Sequence, residues 1–180
     1  MADQVVLLDP SGRPCGTADR GTVHTRETPY HLAFSSYLFD AQGRVLLTRR
    51  ALTKATWPGV WTNSCCGHPR PGEAPLDAIA RRVADELGHA PTDLRLILAS
   101  FSYRAVDAGG IVEHELCPVW VGRFDPARLA PDPVEVMDAA WVDWAAVVRA
   151  AAELPQLLSP WAVPQVPLLA SALASEEGVA

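Results

Sequence analysis

The sequence has no excess of positive charge, no long hydrophobic run and no CxxC pair, and each absence removes a class of function. Fifteen Lys and Arg face 21 Asp and Glu, for a formal net charge of −6. Sequence-independent binding to nucleic acid needs a basic surface that displaces counterions from phosphates, so no nucleic-acid partner is expected. No apolar stretch is long enough to span a bilayer. Met1-Ala2-Asp3-Gln4, ahead of the short apolar run Val5 to Leu8, lacks the basic region of a signal peptide. The expectation is a cytoplasmic protein with no membrane contact. Without a CxxC, Cys15, Cys65, Cys66 and Cys117 are expected as free thiols. There is no internal repeat, although the C-terminal third is rich in alanine.

What is present suits one well-buried unit. The 180 residues are 49% hydrophobic and 20% charged, as in ordinary soluble domains. We expect a single domain over residues 1–175, with 176–180 a frayed tail. Val5 to Leu8, the turn Asp9-Pro10-Ser11-Gly12 and an extended segment from Cys15 to Val23 read as a hairpin. His31 to Phe39 and Arg44 to Arg49, joined through Asp40-Ala41-Gln42-Gly43, read as another. Ala51 to Pro71 reads as a loop, yet one dense in Trp and Cys. Apolar residues at helical spacing from Leu76 to Leu87 predict a helix over Ala74 to Leu87, stopped at Gly88. Strands follow over Leu94 to Tyr103 and Glu113 to Val121. A helix capped by Asp143 runs to Ala152, and a third starts near Ser159-Pro160 and runs toward Ala174. Strands on both sides of a helix, closed by further helices, give an α/β (α+β) class with a mixed sheet between helices.

Several side chains suit a metal. Glu113 and Glu115 lie two apart on a predicted strand and project to one face. Carboxylates so placed repel unless something positive lies between them, and His24, His31 and His68 offer neutral nitrogen ligands. A mixed nitrogen and oxygen set favours Mn²⁺, Mg²⁺ or Zn²⁺ over a thiolate site. Taken singly, each histidine reads first as a hydrogen-bonded surface or core residue, the reading kept for His89 and His114.

Between Gly67 and Gly88 a loop carrying Glu73 leads into a helix bearing Arg81, Arg82, Asp85 and Glu86. An amphipathic helix with solvated ion pairs would look similar. Its spacing nonetheless resembles the Nudix box, matched at Gly67, Glu73, Arg81, Glu86 and Gly88, with Arg82 where the box has a glutamate and Asp85 in place of the first of its glutamate pair. Nudix hydrolases hold Mg²⁺ with these carboxylates, so the change at Arg82 weakens a hydrolase reading, which stays as the alternative.

The preceding loop, Trp57-Pro58-Gly59-Val60-Trp61-Thr62-Asn63-Ser64-Cys65-Cys66-Gly67-His68-Pro69, closely resembles the signature of type I isopentenyl-diphosphate isomerases, a branch of the Nudix fold. Further matches are His24, Thr28 to Ser35, Leu47 to Leu52, Tyr103, Glu113-His114-Glu115 and Ser159-Pro160-Trp161, so the resemblance spans about Val5 to Leu169. It implies a Nudix-like fold and interconversion of isopentenyl and dimethylallyl diphosphate through a tertiary carbocation. It assigns proton transfer to Cys66 and Glu115, with Tyr103 beside Glu115 and Trp161 facing the cation. His24, His31, His68, Glu113 and Glu115 would bind one divalent metal. Glu86 and the Cys66 backbone carbonyl would hold Mg²⁺ with the diphosphate, whose other partners would be Arg20 (where lysine is commoner), Arg50, Lys54 and Arg82. No organic cofactor is implied, the only partner is a small-molecule allylic or homoallylic diphosphate, and a monomer or weak homodimer is expected.

Overall fold

The computed structural model describes residues 3–177. Twelve strands are β1 (Gln4–Leu8), β2 (Pro14–Asp19), β3 (His31–Leu32), β4 (Phe34–Phe39), β5 (Arg44–Arg50), β6 (Trp61–Thr62), β7 (Cys65–Gly67), β8 (Thr92–Leu98), β9 (Ser102–Val106), β10 (Val112–Leu116), β11 (Val119–Arg123) and β12 (Val136–Asp143). Three α-helices are α1 (Pro75–Leu87), α2 (Trp144–Glu153) and α3 (Ala162–Glu177).

The strands form two sheets. One runs β2-β1-β3-β10-β9; the other runs β12-β5-β4-β11-β8, with β6 added on β5 and β7 on β4. Both are mixed, since β10 is parallel to β3 and β11 is parallel to β4 while the remaining pairs are antiparallel.

Three runs that read as continuous strands are each broken and shared between the sheets. His31 to Phe39 splits at Ala33 into β3 and β4, Leu94 to Tyr103 splits into β8 and β9, and Glu113 to Val121 splits at Cys117-Pro118 into β10 and β11. Pro118 has no amide hydrogen to give a ladder, which suits a strand end. The Ala51–Pro71 loop contains β6 and β7, and β12 has no counterpart in the sequence reading. The C-terminal expectation also changes: α3 continues through Glu177, and Glu176 accepts a hydrogen bond from Arg95 at 2.6 Å, while residues 178–180 of the expected tail lie outside the described residues.

The larger sheet lies between helices because its strands alternate. Phe34, Leu38 and Leu46 face Ala78, Ile79, Val83 and Leu87 of α1, and Tyr37, Val45, Val119 and Val121 face Val147, Ala151, Val166 and Leu169 of α2 and α3. Pro75 starts α1 with the φ it already has, and Gly88 ends it in the left-handed region at φ 88°, its N–H bonded to Ala84 O. Leu76, counted with the apolar face of this helix, is instead exposed. Asp143 caps α2 through the Ala146 N–H, as expected. No described helix is long and apolar enough to cross a membrane.

Candidate active site

A cavity of about 250 Å³ opens where the two sheets meet. It is lined by twelve of the thirteen residues to which the resemblance gives a role; His31, fully buried, is the exception. One wall comes from β10 and β9 of the smaller sheet, another from β5 and β7 of the larger, and the helix α1 closes one end.

Ligand atoms of His24, His31, His68 and Glu115 all lie within 4.8 Å of one another. Glu115 Oε1 is 3.1 Å from His68 Nε2 and 3.4 Å from His31 Nε2. The two imidazole Nε2 atoms are 3.2 Å apart. His31 Nδ1 meets Pro29 O at 2.9 Å, which makes Nδ1 the donor and turns the Nε2 lone pair inward in the neutral ring. His24 Nε2 is buried and has no hydrogen-bond partner among the described residues. An orphaned buried nitrogen, two facing nitrogens and a carboxylate are what a divalent cation satisfies, so this donor set fits a metal.

The electrostatics agree. Burial drives His68 down to about 4, so it stays neutral. Burial alone would raise Glu115, but the three imidazoles gathered around it hold it well below the usual carboxylate range. His31 goes the other way, up, because its contact with Glu115 outweighs its burial. A proton on His31 and a metal ion therefore compete for the same Nε2.

Glu113 stands beside this group rather than in it. Its Oε1 accepts from Thr56 Oγ1 at 2.7 Å and its Oε2 from Tyr103 OH at 2.7 Å. The Tyr103 hydroxyl also lies 2.9 Å from Glu115 Oε2, so one phenol clasps both carboxylates. Burial pushes the Tyr103 phenol well above its ordinary value, which keeps it a donor. Each Glu113 oxygen accepts one of these bonds and keeps a second lone pair, so its expected place as a ligand of the same ion is compatible with them.

Cys66 and Cys65 diverge because β7 is a strand. Cys65 Sγ turns to Glu86 Oε2 at 3.3 Å, and Cys66 Sγ donates to Asn63 Oδ1 at 3.2 Å, with Ser35 Oγ at 3.4 Å. Burial pushes the Cys66 thiol up to about 12. Trp161 is 1% exposed. Its ring is met edge-on by Trp57 at 5.6 Å, Tyr103 lies tilted beside it at 5.8 Å, and the Arg50 guanidinium lies over it at 5.6 Å. Trp57 has φ 44°, unusual for a bulky residue, and Arg50 Nε bonds the Trp57 carbonyl while its Nη2 bonds the Thr56 carbonyl at 2.8 Å.

The cationic end comes prepaired. Arg20 binds Asp3, Lys54 binds Glu135, and Arg82 binds Glu86 with Glu135 at 3.6 Å. Burial pushes Glu86 above its ordinary value even with Arg82 beside it. Glu135, Thr56 and Asn63 were given no role in the sequence reading. Asn63 lay inside the signature loop and could have been found there; Glu135 sits just ahead of the unread strand β12 and carries no periodic signal.

A family model described as NUDIX domain matches residues 29–163. A protein of Frankia alni named isopentenyl-diphosphate Delta-isomerase is 61% identical over 166 residues, covering 91% of this chain and 84% of that one. The chain belongs to the isopentenyl-diphosphate Delta-isomerase family, on the NUDIX fold. A second member of that family, from Mycolicibacterium vanbaalenii, is 58% identical and covers 95% of this chain and 93% of its own. Among solved structures, a Deinococcus radiodurans protein matches with a TM-score of 0.69 at 18% identity, over 92% of this chain and 98% of that one. A MutT protein from Methanosarcina mazei matches with a TM-score of 0.60 at 19% identity, over 77% and 91%. These two show the fold. Membership of the isomerase family rests on the close relatives.

Proposed function

We propose that this chain interconverts isopentenyl diphosphate and dimethylallyl diphosphate in the cytoplasm, with Cys66 and Glu115 as the proton-transfer pair. The observation that carries this reading is that the two groups come from different sheets yet line one cavity, Cys66 from β7 and Glu115 from β10. Shifting the double bond adds a proton at one carbon and removes one from another, through a tertiary carbocation. Two exchangers on separate walls serve that need.

The thiol keeps its proton until a partner takes it, since burial pushes it up to about 12. Glu115 is oriented by Tyr103 and the histidines. Which of the pair gives and which takes reverses with direction. Trp161, buried against Tyr103, supplies an indole face worth about 2 kcal/mol to a desolvated cation, and the enclosure excludes water that would trap it. Arg20, Lys54 and Arg82 exchange their carboxylate partners for the diphosphate. Arg50 contributes what its guanidinium has left after bonding Thr56 and Trp57, and chiefly braces that loop.

His24, His31, His68, Glu115 and the adjacent Glu113 would hold one divalent ion, Mn²⁺, Mg²⁺ or Zn²⁺, and Glu86 with the Cys66 carbonyl a Mg²⁺ that accompanies the diphosphate. When bound, such ions supply fixed positive charge that tunes a carboxyl group and neutralises phosphate. The hydrolase alternative has no observation in its favour, because Arg82 stands at a metal-ligand position of the box and occupies Glu86.

Metal-loaded protein incubated with isopentenyl diphosphate in D₂O is expected to place deuterium in substrate and product. Cys66→Ala and Glu115→Gln should each lower turnover at least about 100-fold while leaving the fold intact. Phosphate release without exchange, surviving in Cys66→Ala, would instead establish a hydrolase.

A further inference from the structure

Thr62, Asn63 and Ser159 belong to the two sequence motifs at the site, are fully buried, and have no part in the reaction as described. They meet one another. The Asn63 side-chain nitrogen donates to Ser36 O at 3.1 Å and to Cys65 O at 3.0 Å, which fixes which end of the amide is oxygen. That oxygen, Oδ1, accepts from Trp161 Nε1 at 2.9 Å, Thr62 Oγ1 at 2.8 Å and Cys66 Sγ at 3.2 Å. Since the Thr62 proton goes to Asn63, the Ser159 hydroxyl 2.8 Å away is the donor to Thr62. The signature loop and the Ser-Pro-Trp segment are joined through this one amide.

A carbonyl oxygen has two lone pairs, and here three donors share it. The thiol is the weakest donor of the three and makes the longest contact, so it is the one that can leave at least cost. On its other side the sulfur meets Ser35 Oγ, which accepts from Gln165 Nε2 at 3.0 Å and is itself fully buried. The sulfur is therefore held on two sides, while its proton points at a replaceable partner.

We propose that Asn63 is a positioning residue for proton transfer: from a single oxygen it sets the Cys66 S–H relative to the Trp161 ring and releases that proton when substrate enters. The inference rests on the roles proposed above for Cys66 and Trp161. Its physical content is that the indole N–H and the Thr62 hydroxyl keep Asn63 Oδ1 satisfied after the thiol turns away, so the turn leaves no buried acceptor bare. A residue that merely tied β6 to β7 would need only its two amide hydrogens.

The test uses the full metal-loaded chain and reads the Raman S–H stretch, with the Cys66 component taken as the difference from Cys66→Ser. In Asn63→Ala the thiol loses its acceptor. The band is expected to move up in frequency, and kcat to fall on the order of 100-fold, as for a misplacement near 1 Å, with KM for isopentenyl diphosphate unchanged. Asn63→Ala also strips donors from two buried carbonyls and can cost the fold, so Thr62→Val serves as the second variant. It keeps the shape of the side chain and removes a competing donor, and the band is expected to move down as Asn63 Oδ1 turns more fully to the thiol. A band unmoved in Thr62→Val, or kcat and KM changing together in Asn63→Ala, overturns the proposal. If Cys66→Ser keeps full turnover, the reaction assigned to Cys66 falls; if it is inactive and the band ignores Thr62 and Asn63, only the role of Asn63 falls.

Discussion

Cys66 sits in a paradoxical place for a reactive thiol: no cationic side chain bonds it, and burial pushes it up to about 12. A proton carrier for carbon needs a proton to give, and a thiol that holds one throughout the physiological range suits that better than a standing thiolate. The same argument separates Cys66 from Cys15, which is exposed. A short pulse of iodoacetamide at pH 8 is expected to modify Cys15 and to spare Cys66, Cys65 and Cys117, as read by peptide mass spectrometry. Rapid modification of Cys66 would show a thiolate and refute the neutral-thiol account. The choice between Cys65 and Cys66 was legible in the sequence only through the family resemblance. Its physical basis is strand alternation, and the sequence reading took this stretch for loop, where no rule says which of two neighbours faces the substrate.

Strands and helices were legible where their residues interact locally, and less so where partners lie far along the chain. α1 shows the first case: a proline start, an apolar stripe and a glycine stop determine it from within. The broken strands show the second. A run such as His31 to Phe39 has the composition of one strand, and only the partners chosen at each end, β10 for His31-Leu32 and β11 for Phe34 to Phe39, divide it. That division matters for function, because it puts His31 in one sheet and Ser35, beside the Cys66 sulfur, in the other. The entry to α1 carries a testable interaction of its own. Glu73 accepts from Arg81 Nε and Nη2, both at 2.8 Å, and from the Arg70 N–H at 2.8 Å, and the bond with Arg81 foremost holds its carboxyl below the ordinary value of 4.5. A folded-state value below the unfolded one means stabilisation that is present at neutral pH and is lost as pH falls from about 4.5 through the folded value. Glu73→Gln is expected to cost about 1 kcal/mol at pH 7 in urea unfolding, less than the ~1.5–3 kcal/mol of a hydrogen bond to a charged group because solvent screens the pair. The gap to the parent protein should close in acid. A gap that persists at the lowest pH where both proteins fold would mean that Glu73 acts by packing rather than by charge.

On the scale of the whole molecule, the histidine and glutamate cluster is where the two sheets are pinned together or held apart. His31 and Glu115 come from adjacent strands of the smaller sheet, while His68 follows β7 of the larger one and His24 lies on the connection between β2 and β3. Without a cation, His24 Nε2 is buried with no partner among the described residues, and a proton on His31 is the compensation offered to Glu115. A divalent ion would answer both, and because its ligands converge only in the folded chain, its binding free energy adds to folding. With free metal at about 100 times its dissociation constant the gain is about 2.7 kcal/mol, and at about 2–4 °C per kcal/mol for a chain of this size the melting temperature should rise by roughly 5–10 °C. A chelator is expected to reverse that rise. The distinguishing comparison is between variants: His68→Ala should melt at nearly the same temperature with metal or chelator, whereas Cys66→Ala, whose sulfur is outside the cluster, should keep the full difference despite its lost turnover. Equal responses in the two variants would place the ion elsewhere and separate the metal from the seam between the sheets.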